Sequence, residues 1–189
     1  MVVFLSILRK IYSFLIDTLE TILLVGAVFL VIYIFLFRPF EVKGDSMYPS
    51  FHDGEYVLTN LITLRLSDPK RGDVVVFKSP VEDDKDFIKR VIAASGDTVS
   101  VQDGQVLVNG EILDQSKYLS NAVETNPGSF LEEGEVVVVP EDQYFVMGDN
   151  RPYSSDSREW GFVAKKNLIG ISFFVYWPLN KMGRIENPY

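Results

Sequence analysis

"VSVQDGQVLVNG", residues 99–110, decides the fold class of this chain. Valine recurs at every second position on both sides of Asp103-Gly104, which is the period of a half-buried strand. An Asp-Gly pair between two alternating runs marks a two-residue hairpin turn, whose central positions both need positive φ. Outward from this hairpin the same grammar repeats. Strand candidates are "EYVLTN" (55–60), "DVVVFKS" (73–79), "FIKRVIAA" (87–94), "DTVSVQDG" (97–104) and "QVLVNGEIL" (105–113). They continue with "EVVVVP" (135–140), "QYFVMGDN" (143–150) and "ISFFVYWP" (171–178). Helical periodicity longer than two turns is absent beyond residue 40, so residues 39–189 are expected to form a mostly β, antiparallel domain. Residues 114–134 are polar and irregular and read as a loop or small lobe without chemistry. The cluster "EDDKD" (82–86) reads as a solvated loop.

Upstream, residues 1–38 have a different character. "TILLVGAVFLVIYIFLF" (21–37) holds no charge, Asn, Gln or Pro. Seventeen residues at about 1.5 Å each lie at the short end of a bilayer span. The preceding "FLSILRKIYSFLIDTLE" either extends the helix or lies in the interface, and Tyr33 and Arg38 read as interfacial anchors. A buried core helix and a cleaved signal peptide are the rivals. The uninterrupted apolar run opposes the first, and "FRPFEVKGD" offers the second no small-x-small cleavage site. We therefore expect a retained transmembrane helix. Its orientation is not set by charge, since Arg9 and Lys10 on one side balance Arg38 and Lys43 on the other.

Composition narrows the chemistry. The 189 residues include no cysteine and one histidine, His52, which excludes thiol catalysis, disulfides and an H-E-x-x-H zinc site. Net charge is −8. Three Lys/Arg and two Asp/Glu precede residue 40, leaving 15 against 24, or −9, beyond Pro39. Such a balance argues against a nucleic-acid partner, which would want a basic face.

Three stretches then raise the question of a nucleophile and its base. "GDSMYPSF" (44–51) presents Ser46 in a turn, and a hydrolytic serine needs a base. His52 can serve in principle but sits six residues away in a turn. The other common base is a neutral lysine. At its reference pKa only about 1 lysine in 2,500 is neutral at pH 7, so a catalytic lysine needs apolar surroundings. "DFIKRVIAASGD" (86–97) places Lys89 on a strand face shared with Phe87 and Val91. Taken alone, a lysine there is more often an edge or snorkelling residue. "GDNRPYSSDSR" (148–158) adds hydroxyls and Asp/Arg pairs. Its plain alternative is a solvated loop with Asx turns. Asp156 near an amine would favour the charged form unless an arginine neutralised it, and Arg158 lies two residues on.

Four blocks in this order, "GDSMYPSF", "RGDVVVF" (71–77), "KRVIAASGD" (89–97) and "GDNRPYSSDSR", resemble type I signal peptidases, the serine–lysine proteases of exported-protein processing. A lone span with a compact domain is similar to the short Gram-positive forms. The resemblance implies Ser46 as nucleophile, Lys89 as general base and Ser154 as the hydroxyl that orients its amine. Asp149, Asp156 and Arg158 become structural supports, with Arg90 a partner for Asp149. Where some members carry a serine two positions before the nucleophile, this chain has Gly44. The oxyanion is then left to the Ser46 N–H, with Gly44 admitting a second N–H or a water. The family's preference for small residues at −1 and −3 implies shallow apolar pockets, whose walls are assigned to Phe40, Val42, Met47, Phe51 and Ile88. The implied partners are secretory preproteins and the lipid bilayer, with no metal, cofactor or nucleic acid. The implied location is the cell membrane, N-terminus cytoplasmic and catalytic domain on the outer face.

Two rivals stand beside it. One is a LexA-like peptidase that cuts itself or one partner, opposed by the transmembrane anchor. The other is a tethered, non-catalytic binding module, opposed by the presence of both Ser46 and Lys89. Met47, Tyr48 and Phe51 read equally as core packing or as a cluster that dips into headgroups. The role of Lys43 is unexplained.

Overall fold

A computed structural model describes residues 2–120 and 122–189. Met1 of the N-terminal segment and Asn121 of the 114–134 stretch lie outside them. The chain divides into two compact units at the Phe37/Arg38 junction.

The first unit is one helix, α1 (Val2–Leu36). The stretch upstream of residue 21 is therefore helical and continuous with the expected span, and Phe37 already belongs to the first strand. Pro39 cannot continue a helix, having no N–H to donate. Ser6–Val31 has a mean hydropathy of 2.2 and is long and apolar enough to cross a membrane. The whole helix, at about 1.5 Å per residue, exceeds the roughly 30 Å of hydrocarbon it would need to span.

The second unit is built on β structure, as the hairpin predicts. Its strands are β1 (Phe37–Glu41), β2 (Tyr56–Asn60), β3 (Val74–Lys78), β4 (Asp86–Ala94), β5 (Thr98–Gln102) and β6 (Gln105–Val108). They continue with β7 (Glu111–Ile112), β8 (Val136–Val138), β9 (Gln143–Met147), β10 (Val163–Ala164), β11 (Leu168–Trp177) and β12 (Gly183–Arg184). Two four-residue helices, α2 (Thr63–Leu66) and α3 (Ser157–Trp160), interrupt them. One sheet runs β1-β2-β11-β3-β4-β9-β10 with β12 beside β11, and a smaller sheet runs β7-β6-β5-β8. From β2 to β10, and throughout the smaller sheet, neighbours are antiparallel.

The β5–β6 hairpin closes on Asp103 and Gly104, with φ of 51° and 74°. The run 105–113, expected as one strand, is divided by a second such turn. Asn109 and Gly110 also take positive φ, and β7 folds back on β6. Valines 99, 101, 106 and 108 face one buried cluster with Ile92, Phe145 and Met147, so the smaller sheet is welded to β4 and β9. Each such side chain contributes about 1.5–3 kcal/mol by leaving water. A second cluster, of Val42, Met47, Phe51, Val57, Val74 and Val175, lies under the turn that carries Ser46.

Candidate active site

The turn over residues 42–55 is tied at its neck and along its length. Val42 N–H donates to Glu55 O at 2.7 Å and Gly54 N–H to Val42 O at 2.9 Å. Inside it, Phe51 N–H donates to Met47 O at 2.9 Å. Met47 and Phe51 are buried, pinning the turn to the core and leaving Ser46 half-buried at its crest. Gly44 takes φ +78°, a conformation that favours glycine.

Lys89 sits at the middle of β4, paired across to Val75 of β3. Its side chain is 4% exposed, and Nζ lies 2.6 Å from Ser46 Oγ. The Phe87 ring flanks the amine at 5.4 Å. Burial lowers the Lys89 pKa to about 8, against the opposing pull of Asp156 and Asp149. Each of those carboxylates has its own arginine. Arg90 grips Asp149 with Nε and Nη2 at 2.9 and 2.7 Å, and Arg158 grips Asp156 with Nε and Nη2, both at 2.8 Å. All four side chains are buried. Asp156 also caps α3 and accepts from the Gly148 N–H at 3.0 Å. Neutralised carboxylates let desolvation dominate, and that is why the amine stays easy to deprotonate.

Ser154 is buried against the same loop. Among the described residues its Oγ has no hydrogen-bond partner, Lys89 included. A Cβ on Gly148 would collide with both Ser154 Oγ and Ser46 O, so only glycine lets these segments approach so closely. The Gly44 N–H is already committed to Asp53 Oδ1 at 2.7 Å, so it is not a free donor for an oxyanion. Gly44 contributes its backbone conformation instead. His52 faces Glu55, at 3.3 Å, and the Tyr48 ring.

Beside Ser46 and Lys89 opens a cleft of about 690 Å³. Phe40, Val42 and Ile88 line it, joined by Val57, Val76 and Phe87. Met47 and Phe51, expected in the pocket walls, do not line it. Their side chains point into the core beneath, so for these two core packing holds, while Tyr48 is exposed. Glu82, Asp84, Lys85 and Asp86 form part of the cleft's lining, so the 82–86 stretch is more than a solvated loop. Among the described residues no group of three or more His, Asp or Glu side chains could hold a metal ion.

A model of the family described as "Signal peptidase, peptidase S26" matches residues 15–177. The chain belongs to that family. It is 39% identical over 152 residues to Signal peptidase I S of Bacillus subtilis, covering 78% of this chain and 81% of that protein. Signal peptidase I of Bacillus amyloliquefaciens is 35% identical over 177 residues, covering 92% and 94%. Among solved structures, a signal peptidase I from Enterococcus faecalis is 31% identical with a TM-score of 0.46, covering 56% of this chain and 97% of that one.

In this peptidase S26 chain the sequence patterns hid two supports. Arg151 is fully buried and spends its guanidinium on the Gly148 carbonyl, Thr125 Oγ1 and Gln115 Oε1. Arg158 also donates to the Asn126 carbonyl, and its own carbonyl accepts from the N–H groups of Phe130 and Leu131. The 114–134 stretch thus braces the 148–158 loop rather than standing apart from it. Tyr118 of the same stretch lies under the Arg90 guanidinium, 4.3 Å from ring centroid to Cζ. The one sequence signal was the density of arginines in a loop too short to satisfy them locally.

Proposed function

We propose that this chain is a membrane-anchored endopeptidase that removes signal peptides from exported preproteins, with Ser46 as nucleophile and neutral Lys89 as general base. The observation that carries this is the 2.6 Å contact between Ser46 Oγ and a buried Lys89 amine whose pKa lies at about 8. At pH 7 roughly a tenth of such amines are neutral, against about 1 in 2,500 for an exposed lysine.

The neutral amine accepts the Ser46 proton as Oγ attacks the scissile carbonyl carbon. The negative charge that forms on the carbonyl oxygen is met by the Ser46 N–H. Collapse breaks the C–N bond, and the Lys89 ammonium returns its proton to the leaving amine. A water, deprotonated by the same lysine, then attacks the acyl carbon, and Lys89 returns that proton to Ser46 Oγ as the ester bond breaks. Ser154, whose hydroxyl is buried beside the site with no partner among the described residues, orients the amine during these transfers. The apolar walls of Phe40, Val42 and Ile88 favour small residues at −1 and −3. The helix, retained in the membrane with its N-terminus cytoplasmic, holds the domain on the outer face. Substrate and enzyme then search in two dimensions, which raises their effective concentration.

The test is cleavage, in liposomes, of a preprotein with Ala at −1 and −3 of its junction. Cleavage at that junction is expected, and Ala→Leu at −1 should slow it roughly 10- to 200-fold, the range for a misfitted pocket. No cleavage by folded, inserted protein, or cleavage indifferent to the −1 residue, would contradict the proposal.

The pH profile carries a second expectation. Only neutral Lys89 accepts a proton, so kcat/KM should rise about tenfold per pH unit below about 8 and level off above it. A profile flat from pH 6 to 9 would remove Lys89 as the base.

A further inference from the structure

Asn150 lies one residue past Asp149, in the turn that follows β9. Its two donors hold successive carbonyls of the nucleophile turn. The Asn150 backbone N–H donates to Ser46 O at 3.0 Å, and its side-chain Nδ2 donates to Asp45 O at 2.9 Å. The second bond has the larger consequence. A peptide unit is planar and trans, so the Asp45 C=O and the Ser46 N–H share one rigid plane and point in opposite directions. Asp45 O also accepts from the Tyr48 N–H at 3.0 Å. Two donors on one carbonyl leave that plane little freedom to turn. At its opposite edge the Ser46 N–H donates to no protein acceptor among the described residues. The neighbouring Gly44 N–H is held by Asp53, so of these two amides it is that of Ser46 that is open to a ligand.

We propose that Asn150 is a positioning residue: by clamping the Asp45 carbonyl it aims the Ser46 N–H at the place where the tetrahedral oxyanion forms. This rests on the Ser46–Lys89 dyad proposed above. Asn150 touches no reacting atom. Its effect is confined to the charge that develops in the transition state, because a misdirected N–H stabilises an oxyanion less than an aligned one. Substrate binding in the cleft does not depend on it, since the cleft is walled by other residues.

The experiment compares wild type, Asn150→Ala and Asn150→Asp as full-length protein in liposomes, on the Ala-x-Ala preprotein. Asn150→Ala should lose roughly 10- to 100-fold in kcat, with KM within about twofold. Its pH midpoint should stay at the wild-type value, because Asn150 carries no charge and makes no contact with Lys89. Asn150→Asp, nearly the same in shape, cannot donate and repels the Asp45 carbonyl, so it should be at least as slow. A peptide aldehyde, which forms a tetrahedral adduct on serine, should lose affinity in parallel with kcat. Thermal unfolding of each variant separates misfolding from misalignment, and if only Asn150→Ala unfolds, the aspartate variant carries the comparison. Wild-type kcat in either folded variant overturns the clamp while the dyad stands. So does a loss seen in KM alone, a displaced pH midpoint in Asn150→Ala, or unfolding of both variants. If wild type itself leaves the preprotein uncut, the dyad falls and the clamp falls with it.

Discussion

Lys89→Arg is expected to lower kcat/KM by at least about 10⁴-fold, although it keeps the length and charge of the side chain. A guanidinium does not give up a proton at any working pH, so the variant has no base within reach of Ser46. Ser46→Ala should lose as much, and the double variant should be no worse than either, because groups that act on one proton transfer are not additive. Turnover near the wild-type rate in Lys89→Arg would remove the dyad. The same residue links activity to stability. Its folded pKa, about 8, lies below the 10.5 of an exposed lysine, so between those values the unfolded chain binds more protons. Wild-type stability therefore rises with pH through that window, and the penalty is felt in full below it. Lys89→Met should stabilise the β unit by roughly 3 kcal/mol at pH 7, with the gain fading toward pH 10.5. Urea unfolding of the detergent-solubilised chain at both pH values would show it. An equal gain at the two values would mean that Lys89 is not held against its charge.

Arg158→Met is expected to destabilise the β unit by about 3–5 kcal/mol, the usual consequence of removing one partner from a buried ion pair. Asp156 is wholly buried, and in the variant its carboxylate keeps only backbone donors, from Gly148 and residue 158. The loss should also reach the site. Asp156 already pulls the Lys89 pKa upward, and without Arg158 that pull is unopposed. The pH midpoint of kcat/KM should then move above about 8. Destabilisation with an unmoved midpoint would show that the pair serves the fold alone. A compensating Asp156→Asn change in the Arg158→Met background removes the unpaired charge and should return the midpoint toward its original value.

Much of this architecture was legible because it depends on neighbours in sequence. Asp103-Gly104 takes the positive φ that its turn needs, and alternating valines supply the buried face. The Asp156–Arg158 pair spans two residues and follows from the need to neutralise a carboxylate near an amine. Lys89 stood out as the one cation on an apolar strand face, and the contact with Ser46 across 43 residues agrees with the block order.

Other features depended on distant segments. Phe40, Val42 and Ile88 line the cleft while Met47 and Phe51 lie under it, yet all five are simply apolar residues in the sequence blocks around Ser46 and Lys89. All five pack in or against the cluster of Val57, Val74 and Val175, and only the folded turn decides which of them also face the cleft. The use of the Gly44 amide by Asp53, nine residues on, was invisible for the same reason. Residues 114–134 looked idle because their polar side chains find partners only once the 148–158 loop folds over them.

By itself, then, the sequence determined an apolar helix followed by an antiparallel β domain, and it singled out a serine, a lysine and the Asp156/Arg158 pair. Those features follow from hydrophobic period, turn chemistry and local charge balance, which act over a few residues. Only the tertiary structure decided the depth of Lys89, the true cleft wall, the bracing of Arg151 and the grip of Asn150 on the Asp45 carbonyl. The physical reason is desolvation. The pKa of an amine and the freedom of a peptide plane depend on what closes over them, and here Lys89 meets Ser46 across 43 residues and Asn150 meets the Asp45 carbonyl across 105.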